Sequence, residues 1–381
     1  MINLAQKDVS HTLGKFIVTA MGVGMLLGIV LIMIGVYRGM ISDAKVLIND
    51  IGADMWIVQQ NTLGPFAESS RVHEDLKDII RAVNGIDKTG ALTFQNIQLP
   101  TATKPIRVTA VGFDPYGSIS PINPSRIIAG RTLRRDHYEI VVSDKTGFKL
   151  NNYIHLGRHR FKVVGITHGT VASGGSPLVY MSLKDAQELQ FLFSNNRIRN
   201  DRLRGIVNRN SHLVNAIVAT IRTGYSPEII ANEIRKYQHK SVYTQAQQTA
   251  ILTQNVIKTA SKQIGMFTAI LVVVSTIIIS LIIYTMTLEK MKEIAIMKLI
   301  GIPNNMIVKM IAQETMLLGV LAFIFGNIFA HLIYNKFPKR VVLETPDAWG
   351  LFIVIIIASV LASLVAIRKV IKADPASAIG G

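Results

Sequence analysis

The chain has 381 residues, 49% of them hydrophobic, and a mean hydropathy of +0.36 that is unusual for a soluble protein. Its 41 Lys and Arg against 24 Asp and Glu give a formal net charge of +17, and cysteine is absent, which excludes disulfides, thiolate metal sites and cysteine nucleophiles. In a soluble protein such a charge points to nucleic acid, because clustered Lys and Arg release counterions from phosphates. In a membrane protein it marks cytoplasmic loops and contact with anionic head groups. The long apolar runs of the chain favour the membrane and membrane lipid, with no nucleic-acid partner.

Residues 1–15 read as a cytoplasmic N-terminal segment carrying Lys7 and Lys15, and 16–37 as the first transmembrane helix. That run has no charge, and at about 1.5 Å per residue it covers the ~30 Å hydrocarbon core. It exceeds the apolar region of a signal peptide, and Arg38-Gly39-Met40 follows it in place of a small-residue cleavage site. Gly24, Gly28, Gly35 and Gly39 lie near one helix face, where small residues allow close helix approach in lipid. That face predicts a helix contact, with the second span or a twin copy as its neighbour. Met33, Tyr37 and Met40, with Met266 and Phe267 on the second span, are candidates to line a lateral opening for a hydrophobic substrate. Ordinary packing and an interfacial aromatic belt account for the same residues.

Residues 38–244 read as an extracytoplasmic α+β domain. Strands are predicted at 54–59, 91–99, 106–111, 139–142, 153–156, 161–166, 179–181 and 214–220. Helices are predicted at 74–83, at 183–191 behind Ser182 as N-cap, and at 227–238 behind Ser226. The small-residue loop Gly169 to Pro177 is expected to be mobile. The arginine-rich stretch Ser194 to Asn210 is either a contact for an anionic head group or a solvated loop. His155, His159 and His168 fit no metal-binding spacing. Residues 245–262 read as a stalk helix, since neither Pro nor Gly interrupts Gln245 to Gln263.

The remaining spans are 263–288, 311–335 and 348–367, separated by a segment at 289–310 and a loop at 336–347, with a tail at 368–381. His331 sits toward the outer end of the third span and reads as an interfacial anchor. Short-loop Lys and Arg bias places both termini and 289–310 in the cytoplasm, through Lys290, Lys292, Lys298, Lys309, Arg368, Lys369 and Lys372. The fold class is a membrane α-helical protein with four transmembrane helices in a 1+3 arrangement, the α+β domain being inserted between helices 1 and 2.

In the segment 289–310, the charges Glu289, Lys290, Lys292 and Glu293 give way to an apolar stripe at Ile294, Met297 and Leu299 to Ile300. Gly301 suits a helix C-terminus and Pro303 can begin the next helix. Such a helix either docks in a groove on a partner or lies in the lipid interface. Lys292 to Ile307 (KEIAIMKLIGIPNNMI) resembles the corresponding segment of the MacB/FtsX-type ABC permeases. The tail Lys372-Ala373-Asp374-Pro375-Ala376 is similar to the terminal motif of that superfamily. Ala53 to Val58, with Gly64-Pro65-Phe66-Ala67-Glu68 after it, resembles the start of the external domain in the haem-exporter and DevC-like branch.

The resemblance implies a homodimeric permease of a bacterial cytoplasmic membrane, two copies of a cytoplasmic ABC ATPase supplied by another chain, and room for a periplasmic adaptor. It makes Glu289, Lys292, Glu293, Ile294, Met297, Lys298, Ile300, Gly301 and Pro303 the ATPase-coupling set. The sequence has no G-x-x-x-x-G-K-[ST] phosphate loop, so no cofactor is expected on this chain and ATP with Mg²⁺ belongs to the partner. Export or membrane extraction of an amphiphilic or hydrophobic substrate (haem, a lipid or a lipophilic compound) is the leading function. The alternative is mechanical signalling that activates an extracytoplasmic enzyme without transport.

Overall fold

The computed structural model describes residues 13–100, 105–156, 159–192, 212–254, 258–337 and 339–372. The arginine-rich stretch at 194–210, most of the tail motif and the middle of the stalk lie outside them. The chain divides into two compact units, Met1–Gly39 with Ala260–Gly381, and Met40–Thr259.

Helix α1 runs unbroken from Leu13 to Ile51, past the predicted end at Tyr37. No proline follows Arg38 to stop it, and Ala44, Leu47 and Ile48 continue a buried stripe at helical spacing. Gly52 ends it with a φ of +61°, which suits glycine, and donates its N–H to the Ile48 carbonyl at 3.2 Å. In the last turn Asp50, its side chain 3% exposed, pairs with Arg126 at 2.8 Å.

The domain elements follow in order: β1 Met55–Val58, β2 Val72–His73, α2 Leu76–Arg81, β3 Ile86–Leu99, β4 Ile106–Phe113, β5 Ile127–Gly130, β6 Glu139–Ser143, β7 Tyr153–Leu156 and β8 His159–Thr167. Then come β9 Leu178–Ser182, α3 Leu183–Leu192, β10 Leu213–Val214, β11 Ala216–Ile221, α4 Pro227–Gln238, β12 Ser241–Thr244 and α5 Gln245–Leu252. Ten strands form one mixed sheet in the order β12-β1-β11-β3-β4-β9-β6-β8-β5, with β7 added to β8. The pairs β4–β9 and β6–β8 are parallel and the others antiparallel.

Two apolar cores lie on this sheet. Ile57, Ile80, Ile217, Ile230 and Val242 belong to the first, and Leu99, Val108, Ile140, Phe161 and Met181 to the second. The long β3 serves both, its Ile86 and Ala91 in the first core and its Ile97 and Leu99 in the second. Helix α3 does the same through Leu183 and Ala186. It lies so close to β4 that a Cβ on Gly112 would have no room beside Ala186.

Several expectations change here. Strand β3 begins at Ile86 because Ile86 and the polar Lys88 and Thr89 pair with β11, with an irregularity at Asp87, a polar stretch that a search for apolar runs passes over. The short strands β2, β5 and β12 are additions to the predicted set. Ser182 caps α3 by accepting from the Asp185 N–H at 3.1 Å, whereas Ser226 makes no side-chain cap bond. The loop at 169–177 is closed as a tight hairpin, with Val171 bridged to Pro177 and the Ala172 N–H bonded to the Ser176 carbonyl at 2.8 Å. Thr244 and Gln247 form a capping box that starts α5.

The remaining long helices are α6 Lys258–Glu289, α8 Asn304–Ile333 and α9 Thr345–Lys372, with α7 Met291–Leu299 between the first two. With α1 they supply four helices long and apolar enough to cross a membrane: Phe16–Ile51, Ser261–Glu289, Asn304–Lys336 and Thr345–Leu364. The third starts at Asn304, before its predicted start at 311, because the polar face of Asn304 to Lys309 does not interrupt helical spacing.

One ionic contact in the domain gives a pH test. Glu139 receives a two-pronged hydrogen bond from Arg131, at 2.7 and 2.9 Å, and another from the Arg134 N–H. The Arg131 bond is the main reason its carboxyl is held below the ordinary carboxylate range; burial opposes it and the Arg134 N–H adds to it. A depressed folded-state pKa means the stabilisation is present above the unfolded carboxylate pKa and is lost as pH falls through the folded one. Thermal unfolding of the full chain followed across acidic pH should show a shallower loss of stability in Glu139→Gln than in wild type.

Candidate coupling surface and helix seams

Between α6 and α7 the backbone turns at Lys290, at φ −90° and ψ 4°. Helix α7 ends in a paired C-terminal closure. The Gly301 N–H donates to the Lys298 carbonyl at 3.1 Å and the Ile302 N–H to the Met297 carbonyl at 3.0 Å, with Gly301 at φ +90°. Pro303, extended at ψ 142°, leads directly into α8. The sequence therefore dictates helix, left-handed stop and restart within a few residues.

Only the C-terminal part of the apolar stripe predicted for docking is exposed. Ile294 is 2% exposed and Met297 half-buried, whereas Ile296, Leu299 and Ile300 are 49, 63 and 76% exposed. At about 100° per residue, Ile294 and Ile296 lie on nearly opposite sides of α7. The inner side packs with Ala295, and the outer side presents Ile296, Leu299 and Ile300. Lys292, Glu293 and Glu289 are exposed and Lys298 is half-buried. Met306, 48% exposed just past the turn, enlarges the apolar surface.

The inner side is anchored by an interaction that patterning missed. Lys290 Nζ lies 3.2 Å from Glu314 Oε1, and both residues are buried. The pair ties the α6–α7 corner to α8. A charge inside an apolar bundle calls for a partner, and Glu314 falls within the third predicted span, a signal for such a partner but not for its identity.

The four glycines of α1 meet residues of their own chain. A Cβ on Gly24 would lie 2.7 Å from the Ala322 carbonyl, and one on Gly28 would lie 2.7 Å from the Phe329 ring and 2.8 Å from the Gly326 carbonyl. Gly35 faces Val341 and Leu343, Gly39 leaves no space for a Cβ beside the Arg340 carbonyl, and the Val342 N–H donates to the Gly35 carbonyl at 3.0 Å. The neighbours are thus α8 and the segment before α9, rather than the second span or a twin copy. Next to the seam, Arg38 holds two carboxylates at the start of α9. It reaches Glu344 at 2.7 Å and Asp347 Oδ1 at 2.7 Å, with a further contact from Nε to Asp347 Oδ2.

Of the residues suggested for substrate contact, Met33, Tyr37 and Met40 are half-buried, while Met266 and Phe267 are 56 and 47% exposed. A groove on the membrane unit is lined by other residues: Phe323, Ile324, Asn327, Ile328, His331 and Leu332. His331 Nδ1 bonds to the Asn327 carbonyl at 2.9 Å, consistent with an anchoring side chain.

Four long apolar helices with a large domain inserted after the first define an integral membrane protein. The family model described as MacB-like periplasmic core domain matches residues 16–237, over half of the chain, and that described as FtsX-like permease C-terminal matches 265–375. The chain belongs to the MacB/FtsX family of ABC transporter permeases. It is 22% identical over 381 residues to the uncharacterized ABC transporter permease Rv0072 of Mycobacterium tuberculosis, covering all of both chains. It is 23% identical over 382 residues to Rv2563 of the same organism, again over both whole chains. With the putative hemin transport system permease protein HrtB of Staphylococcus haemolyticus it shares 22% identity over 393 residues, spanning 100% of this chain and 99% of that one. Among solved structures, the extracellular domain of the transporter YknZ aligns at TM-score 0.35 and 10% identity, over 50% of this chain and 100% of that domain. The periplasmic region of MacB from Actinobacillus actinomycetemcomitans aligns at 0.36 and 11%, over 53 and 94%.

Two consequences can be measured. Gly28→Leu and Gly35→Leu should each separate α1 from its neighbours, seen as a lowered unfolding midpoint in detergent and new protease sensitivity. Lys290→Met removes the lysine cation from beside the buried Glu314, and breaking one side of a buried ion pair costs about 3–5 kcal/mol in comparable settings. Its unfolding midpoint should fall well below that of the double variant Lys290→Met/Glu314→Leu, in which neither charge remains.

Proposed function

We propose that this chain is the permease subunit of an ABC transporter that exports or extracts an amphiphilic or hydrophobic substrate. ATP is hydrolysed on a separate ATPase subunit, and the work reaches the substrate as movement of the domain inserted after α1. The observation that carries this reading is the two-sided helix α7. Its outer face offers Ile296, Leu299 and Ile300 beside Lys292 and Glu293, while its inner face is held by Ile294 and by the Lys290–Glu314 pair. A partner pressing on the outer face moves α8 with it. An apolar face of this size flanked by charges suits a groove on another protein.

The Lys and Arg bias of the short segments supports placing α7 and both termini in the cytoplasm and the domain outside. A homodimer fits the low coverage of α6. Only 17% of its apolar window is buried within the chain, against 44% for α1, so its exposed Met266, Ile270, Val273 and Ile277 remain for a second copy and for lipid. The relative HrtB is named for hemin transport; for the present chain the substrate belongs to the wider amphiphilic class.

The test is purification of the tagged chain from its own membrane in mild detergent, followed by identification and counting of what comes with it. An ATPase at one copy per permease chain is expected. Ile296→Glu and Ile300→Glu should lose it while still inserting into the membrane. Retention of the ATPase by both variants would remove α7 from the interface, and reproducible recovery without any ATPase would overturn the transporter reading.

A further inference from the structure

The inserted domain carries a cleft of about 400 Å³, within the size range of small-molecule sites. Its walls come from four separated segments: Leu47 of α1, the Pro65–Phe66 loop, the paired strands β3 and β4, and the hairpin at 172–176. We propose that this cleft binds an anionic amphiphile, a molecule with an aromatic or alkyl body and one carboxylate or similar anionic group.

The apolar side is aromatic and rigidly backed. Phe66 and Phe94, both half-buried, have ring centroids 5.0 Å apart with planes inclined at 53°. Behind them Trp56, fully buried, meets Phe66 edge-on at 5.3 Å. Aromatic rings held this way offer a large contact area that needs little ordering when a ligand arrives.

The polar side offers donors. Arg107 is exposed on the cleft wall and, among the described residues, has no carboxylate partner, whereas Arg38, Arg126 and Arg131 are all ion-paired. Asn96 accepts the Thr109 hydroxyl hydrogen at its Oδ1, 2.9 Å away, so the amide N–H groups are what it has left to give. Gln95 already donates to the Ala186 carbonyl at 3.0 Å. No Asp or Glu is among the lining residues. A guanidinium and an amide N–H beside two phenyl rings select an anion with an apolar body, because charge-assisted bonds to a carboxylate are the strong ones. A cation would find no counter-charge there. Because one wall is α1 itself, ligand in the cleft touches the helix that continues as the first span.

The site deepens the reading of the chain as a transporter of amphiphiles. Binding is measured without nucleotide or ATPase, so its failure is separate from a failure of transport. The probe is 2-naphthoate, with 2-naphthamide as the uncharged counterpart, in equilibrium dialysis against the full chain in phosphatidylcholine nanodiscs. Naphthoate should bind saturably at one molecule per chain and more tightly than the amide. Arg107→Gln should weaken naphthoate by on the order of tenfold or more and leave the amide unchanged. Phe94→Leu, which keeps the apolar volume and removes the ring, should weaken both. Displacement of naphthoate by dodecanoate supports the site and assigns it to membrane-derived acids; resistance to dodecanoate with naphthoate still bound supports it for ring acids in solution. Equal affinity for the acid and the amide, or an Arg107→Gln chain that binds naphthoate as wild type does, overturns the proposal.

Discussion

The membrane part of this protein depends on how closely one helix backbone can approach its neighbours. Lipid offers helices no hydrophobic gain from leaving it, so association there rests on packing and on hydrogen bonds. Helix α1 solves this with glycine at each contact, from Gly24 against Ala322 to Gly39 against Arg340. A slip of one residue would bring Met25, Ile29, Val36 and Met40 into those places, and none of them fits. The register of α1 is therefore fixed, and with it the position of Arg38, which lies where it can hold Glu344 and Asp347 together. The bond from Val342 to the Gly35 carbonyl adds a backbone tie at the same level.

A comparable economy governs the opposite turn of the bundle. Helix α7 is short, and isolated helices of such length are marginal in water. It holds its shape because Gly301 closes its end and because Lys290 and Glu314 pin its beginning. A helix fixed on one side can carry load on the other. That division separates residues that keep α7 in place from residues free to be complementary to something else.

Much of this was legible in the sequence. The four apolar runs, the inserted domain, Gly301 and Pro303 as a stop and restart, and most of the strands follow from composition, period and turn chemistry. The glycine face could be seen, but its neighbour could not, because spacing along one helix says nothing about which helix it meets. The inner side of α7 is hidden for a related reason. Ile294, Ile296, Met297, Leu299 and Ile300 surround the helix almost completely, so periodicity marks no clear inner side, and only the packing of Ile294 and Ala295 resolves it. The ion pairs Lys290–Glu314 and Asp50–Arg126 join residues far apart in the chain, which local patterns cannot register. Strand β3 reads short for the simplest reason: its first residues are polar and owe their conformation to β11.

The sharing of β3 by two apolar cores bears on cooperativity. A domain whose cores sit on separate sheets can lose one and keep the other, and then opens in stages. Here the same fourteen-residue strand closes one core with its first half and the other with its second, and α3 straddles the same border. Melting either half frees an end of the strand on which the other half is built. The two cores are thus bound to a common fate, so the domain responds to stress as a single body.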